Sequence, residues 1–261
     1  MIQAFKRSRI AFAVVMLISV VIAILLWFRD RDYPIFVPII ASVLMLGIGY
    51  FSARVLGNIL SNMENTRYLG YLHMELDPQK FLDAYQNVPG RIKADTASNA
   101  IARSYLADGY AANGDFSTAI ETLATDPPAD NLSVQGLYAA NRSAYYLSMG
   151  DTERAAETIA QLENIIDACR LNKADLAKNL SESMNLHQQP LRCLPGKRLD
   201  TDWLEAAFQR AQYNIRRLEI TKVLAMTALR DGDMTAAKKH LTYLRKNSGK
   251  TYFKVWADQQ T

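Results

Sequence analysis

The hydrophobic pattern changes character once along this chain. From Ile10 to Phe28 there is no charged residue, and from Tyr33 to Ala53 there is none again. Both stretches are rich in Val, Ile, Leu and Ala. At 1.5 Å per residue the first spans about 28 Å, close to one bilayer hydrocarbon core. The pattern predicts two membrane-crossing helices, about 10–28 and 33–53, joined by Arg29, Asp30, Arg31 and Asp32. Pro34 and Pro38 fall near the start of the second, where a missing amide costs least. Gly47 and Gly49 would let a neighbouring helix come close. Beyond Arg54, Leu56, Ile59, Leu60, Met63, Leu69, Leu72 and Leu76 continue at helical spacing, as a stalk would. No sustained apolar–polar alternation follows, so the pattern predicts an all-α chain. Breaks fall at Asp77-Pro78, Pro89-Gly90, Asp126-Pro127-Pro128 and Pro190 to Gly196. Asp77 followed by Pro78 reads as a helix start, with a side-chain oxygen for free amides and a proline in the first turn. The expected organisation is an anchor over residues 1–54, a stalk and first helices over 55–94, and a helical domain over 95–261.

Within that domain one pattern occurs three times. A Gly-Asp pair is followed by Ala four residues after the Asp, then by Leu or Ile four further on. The copies are Gly114, Asp115, Ala119, Leu123; Gly150, Asp151, Ala155, Ile159; and Gly232, Asp233, Ala237, Leu241. Glycine suits the left-handed end of one helix and aspartate caps the next. The alanine allows close helix contact, and the larger residue one turn on fills the groove. Seven residues before each glycine stands a small residue: Ala107, Ser143 and Ala225.

The segment Leu106, Ala107, Tyr110, Gly114, Phe116, Ala119 resembles the tetratricopeptide repeat (TPR), a pair of antiparallel helices. The likeness runs from about Asp95 to Arg245. It departs in two ways. The family's first-helix tryptophan is replaced by Arg103, Ala139 and Thr221. The first two glycines are 36 residues apart but the second and third are 82 apart, which leaves an inserted or degenerate unit around 171–202. The resemblance implies a two-helix membrane hairpin followed by a TPR-like α-solenoid; a generic stack of helical hairpins is the alternative. It also implies a concave face formed by first helices, with Asn99, Arg103, Asn141 and Arg142 as partner-binding positions, since they are polar with no evident core role.

The chemistry-bearing residues form no familiar constellation. His73, His187 and His240 are scattered, and no His-Glu-x-x-His spacing is present. Cys169 and Cys193 read as reduced structural thiols, because a pair so sparse is not a disulfide framework. There is no glycine-rich phosphate loop and no Gly-x-Ser-x-Gly. The expectation is therefore no enzyme, no metal, no cofactor and no evident small-molecule substrate.

Charge is unevenly placed. Residues 61–190 hold 10 Lys and Arg against 17 Asp and Glu, and residues 191–261 hold 14 against 7. Arg216, Arg217, Lys238, Lys239, Arg245 and Lys246 mark a basic pole. It reads as solvated helix faces, as a cleft for acidic protein segments, or as a contact for anionic lipid. No nucleic-acid motif accompanies it. Lys6, Arg7 and Arg9 before the first span and Arg54 and Arg67 after the second predict both termini in the cytoplasm, by three basic residues against two in the loop. Charged residues rather than a small-x-small site follow the first span, which argues for an anchor over a cleaved signal peptide. The combined expectation is a cell-membrane protein with two spans, working as an adaptor that binds a protein partner or acidic peptide on the cytoplasmic side. The alternative is an accessory subunit of a membrane enzyme or transporter, held through its hairpin.

Overall fold

In a computed structural model, residues 2–29, 32–192 and 201–260 are described, and they form twelve α-helices and one 3-10 turn, with no strand among them. The chain divides into two compact units, Met1–Tyr68 and Leu69–Thr261.

The first unit holds α1 (Ile2–Arg29) and most of α2 (Phe36–His73). Both are long and apolar enough to cross a membrane. Large apolar side chains such as Leu17, Leu25, Val43 and Phe51 are exposed. The second helix starts at Phe36 rather than Tyr33, after a turn in which the Val37 amide donates to the Pro34 carbonyl. Of the two glycines that the sequence marks for close approach, only Gly49 has a neighbour. A Cβ there would fall on Ser19, and the Tyr50 ring meets Phe12 edge-on. The helix runs on past Arg54 without a break, as a continuing stalk requires.

The second unit begins with the end of α2 and continues with α3 (Pro78–Tyr85), the 3-10 turn Pro89–Arg91, α4 (Ala97–Ala112), α5 (Phe116–Thr122), α6 (Leu132–Met149) and α7 (Thr152–Cys169). Then come α8 (Ala174–Arg192), α9 (Thr201–Arg210), α10 (Asn214–Asp231), α11 (Met234–Asn247) and α12 (Tyr252–Gln259). Asp77 caps α3 by accepting from the Lys80 amide, as Asp77-Pro78 foretells. Pro190 lies inside α8 and forfeits the intrahelical bond of its own amide, while most of the break expected from Pro190 to Gly196 lies outside the described residues. Helices α8 and α9 occupy most of the stretch that resembled no repeat. Cys169 is buried and unbridged, whereas Cys193 lies outside the described residues.

All three Gly-Asp turns have the same local structure. Gly114, Gly150 and Gly232 take φ of 90°, 79° and 73°, the left-handed region that a Cβ disfavours. Asp115, Asp151 and Asp233 accept from the backbone amides of Thr118, Arg154 and Ala236. The following alanines, Ala119, Ala155 and Ala237, are at most 1% exposed. The small residues before the glycines, Ala107, Ser143 and Ala225, are wholly buried. Thus α4–α5, α6–α7 and α10–α11 are tight antiparallel pairs.

The arrangement then closes on itself. Helix α12 packs on α4, and α10 packs on α8. The Tyr252 ring meets Phe116 edge-on, the Lys250 amide donates to the Leu76 carbonyl, and Lys250 Nζ lies 2.6 Å from Asp77. Leu76 belongs to one apolar cluster with Leu218, Leu241, Leu244 and Phe253. The turn between α2 and α3 therefore shares a core with α10, α11 and α12, and a cavity is left within the unit.

Candidate functional site

The cavity measures about 220 Å³ and is walled by first helices of all three Gly-Asp pairs, with α8, α12 and the end of α2. Helical spacing explains who faces it. Asn141, Tyr145 and Ser148 follow one another at one-turn intervals on α6, and on α10 Glu219, the neighbours Lys222 and Val223, and Met226 fall on successive turns. Leu72, Phe116, Leu186 and Ile215 supply apolar wall.

Polar groups gather at two places. At the first, Asp108 of α4 accepts hydrogen bonds from the Asn141 amide at 2.8 Å and from the Tyr145 hydroxyl. Asn141 spends its other amide hydrogen on Ser104 Oγ at 2.9 Å. Burial pushes the Asp108 carboxyl up to about 7, against the lowering effect of the Tyr145 hydrogen bond. At the second, Lys222 Nζ lies over the rings of Tyr252 and Trp256, 5.0 and 5.4 Å from their centroids, and 3.4 Å from the Tyr252 hydroxyl. Burial lowers this ammonium to about 8, although the Glu219 charge works the other way. Glu219 is itself held by Arg216 at 2.9 Å. His187 sits 2.7 Å from Ser143 Oγ, whose own hydrogen goes to the Ala140 carbonyl. His187 Nδ1 therefore carries the hydrogen between them. Burial, helped by Arg216, holds His187 down at about 3, so it is neutral.

The four expected grip positions separate. Only Asn141 faces the cavity. Asn99 is buried, and its amide donates to the carbonyls of Pro89 and Ile92 at 2.7 and 3.2 Å, fixing the 3-10 turn. Arg142 donates to the Leu123 carbonyl at the end of α5, with Asp126 at 3.8 Å. Arg103 and Arg142 both lie over the Tyr138 ring, 5.9 and 5.8 Å from its centroid. The expectation that these side chains lack a core role is thus corrected: Asn99 ties the 3-10 turn to α4, Arg142 ties α6 to the end of α5, and Arg103 and Asn141 join α4 to α6. A polar side chain on a helix gives no sign in sequence of a carbonyl that another loop will bring to it.

The basic pole also divides. Arg216 is paired with Glu219, and Arg217 has a buried Nε with no acceptor. Arg245 reaches the Ala257 carbonyl at 2.7 Å and Asp258 at 3.2 Å, tying α11 to the end of α12. Lys238, Lys239 and Lys246 remain exposed along α11. Asp108, Tyr145, His187 and Glu219 were not singled out from sequence as a site, and Lys222 counts there only among the cations of the basic C-terminal stretch. The available signal was ionisable residues inside otherwise apolar first helices, one next to the repeat's small residue Ala107. Among the described residues no three His, Cys, Asp or Glu side chains are grouped to hold a metal ion.

Fold and cavity together define the class: an all-helical protein with two N-terminal helices long and apolar enough to span a membrane. Comparisons with known protein families, with curated proteins and with solved structures return no match.

Proposed function

We propose that the chain is a membrane-tethered adaptor, in which α1 and α2 form the anchor and a TPR-like set of helical hairpins holds an acidic segment of a partner protein in the cytoplasm. The observation that carries this reading is the threefold recurrence of one hairpin, with its left-handed glycine, aspartate cap and buried alanine, since stacked hairpins of that kind characteristically present surfaces to other proteins. The step from hairpins to protein binding is an analogy of fold. Because Asn99 and Arg142 are committed within the domain, the grip moves to the cations that are not. Lys238, Lys239 and Lys246 stand exposed on α11, and helical spacing puts Lys239 and Lys246 on one face. A row of exposed ammonium groups attracts carboxylates chiefly by steering and register.

The test is photocrosslinking from Thr242, which is exposed on α11 beside these lysines, in the native membrane with the full chain. Replacing Lys238, Lys239 and Lys246 by glutamine should abolish the crosslinked product and move stability by no more than about 0.5 kcal/mol, as exposed substitutions do. Capture that survives these changes and needs only residues 1–60 would replace the adaptor by a subunit held through its hairpin.

A further inference from the structure

The cavity holds a feature that an adaptor does not need. Lys222 is an ammonium set among aromatic rings, and no described carboxylate lies within 4.0 Å of it. Lys222 is half-buried, and a cation that gives up part of its hydration is normally paired to compensate the loss. Among the described residues its hydrogen-bond contact is the long one to the Tyr252 hydroxyl. The two carboxyls that also line the cavity are engaged elsewhere. Glu219 is held by Arg216, and Asp108 accepts from Asn141 and Tyr145. The same cavity has an apolar share of wall, with Phe116, Leu186, Val223, Met226 and Phe253.

We propose that this cavity binds a small amphiphile with one anionic group, which sits on Lys222 while a short apolar body lies against Phe116, Leu186, Val223 and Met226. The volume suits a body of about eight carbons at most, being somewhat larger than a void that takes benzene. A carboxylate and a phosphate ester share the necessary chemistry: a compact anion for three ammonium hydrogens. The lowered proton affinity of Lys222 agrees with this, because an arriving anion would relieve it. This inference is independent of the adaptor reading, whose lysines lie on α11.

The experiment uses the full chain in phosphatidylcholine nanodiscs, with empty nanodiscs as reference, and isothermal titration of four probes. Octanoate and octyl phosphate carry the anion, octylamine carries a cation, and octanol carries none. Octanoate or octyl phosphate should bind, whichever is tighter naming the head group, and octylamine and octanol should bind at least about tenfold more weakly, the worth of one charge-assisted contact. Lys222→Met, which keeps the apolar stem, should lose about tenfold or more for the anionic probes, and Lys222→Arg should retain them. Asp108→Asn should leave anion binding intact or strengthen it. Equal binding of octanol, preference for octylamine, or octanoate binding that Lys222→Met does not alter would each overturn the proposal. The comparison among probes needs only the unaltered chain, so it decides the matter even where a variant fails to fold.

Discussion

Replacing Gly249 by alanine should destabilise the helical unit far more than the same change at Gly150, although both glycines have positive φ. At Gly150, φ is 79° and an added Cβ would meet nothing within 4 Å. The cost there is the left-handed backbone alone, about 1 kcal/mol for alanine. At Gly249, φ is 53° and a Cβ would stand 2.8 Å from the Leu76 carbonyl oxygen and 2.9 Å from Leu76 Cβ. Leu76 cannot retreat cheaply. It is 5% exposed, has a φ of 56° itself, and accepts from the Lys250 amide at 3.0 Å. Forcing that turn apart adds an overpacking cost of roughly 1–3 kcal/mol to the backbone cost, for a total of roughly 2–4 kcal/mol. For a unit of this size each kcal/mol moves Tm by roughly 2–4 °C. Gly150→Ala should therefore melt a few degrees low, and Gly249→Ala roughly 5–15 °C low. Far-UV circular dichroism of the full chains, in one detergent and side by side, measures both. If the two variants melt together, the return of the C-terminal helices onto Leu76 does not hold the fold in the way described.

Ala119→Trp should cost about 3 kcal/mol or more, because Ala119 is wholly buried against Ala107, Leu123 and Tyr138; a native-like melt would show that α4 and α5 are not in close contact. Asp108 should make stability fall with rising pH. Its carboxyl is raised to about 7 in the fold against about 4 unfolded, so its contribution is full below pH about 4 and lost as pH passes 7. The Tm of the parent chain should fall relative to that of Asp108→Asn, which does not titrate, over that range, and a flat difference would refute the raised value. His187 has the opposite sign: held at about 3, it favours the fold above pH about 6.5, and that contribution fades as pH falls, so His187→Gln should lose less stability on acidification than the parent. Reporter fusions at Met1 and Thr261 should both report from the cytoplasm, since the basic residues flank the spans; an external C-terminus would overturn the adaptor's location.

Much of the helical framework was legible in sequence because it depends on neighbours a turn apart. Absence of charge over Ile10 to Phe28 and Tyr33 to Ala53 foretold the two long apolar helices, and the Gly-Asp-x-x-x-Ala repeats foretold three left-handed turns with their caps and buried alanines. These are one-dimensional signals: hydropathy over a span, a φ that favours glycine, an oxygen three residues before an amide. What periodicity does not carry is which residues distant in sequence will meet. Leu76 lies 174 positions before Lys250, yet their backbones are hydrogen-bonded and their neighbours share a core. That closure, more than any repeat, creates the cavity. It brings Asp108, Glu219 and Lys222 from α4 and α10 to one space, while the packing of α6 on α5 turns Arg142 to a carbonyl where sequence suggested a ligand. A titratable residue takes its character from what surrounds it in three dimensions. Asp108 at about 7 and Lys222 at about 8 are therefore properties of the tertiary structure alone.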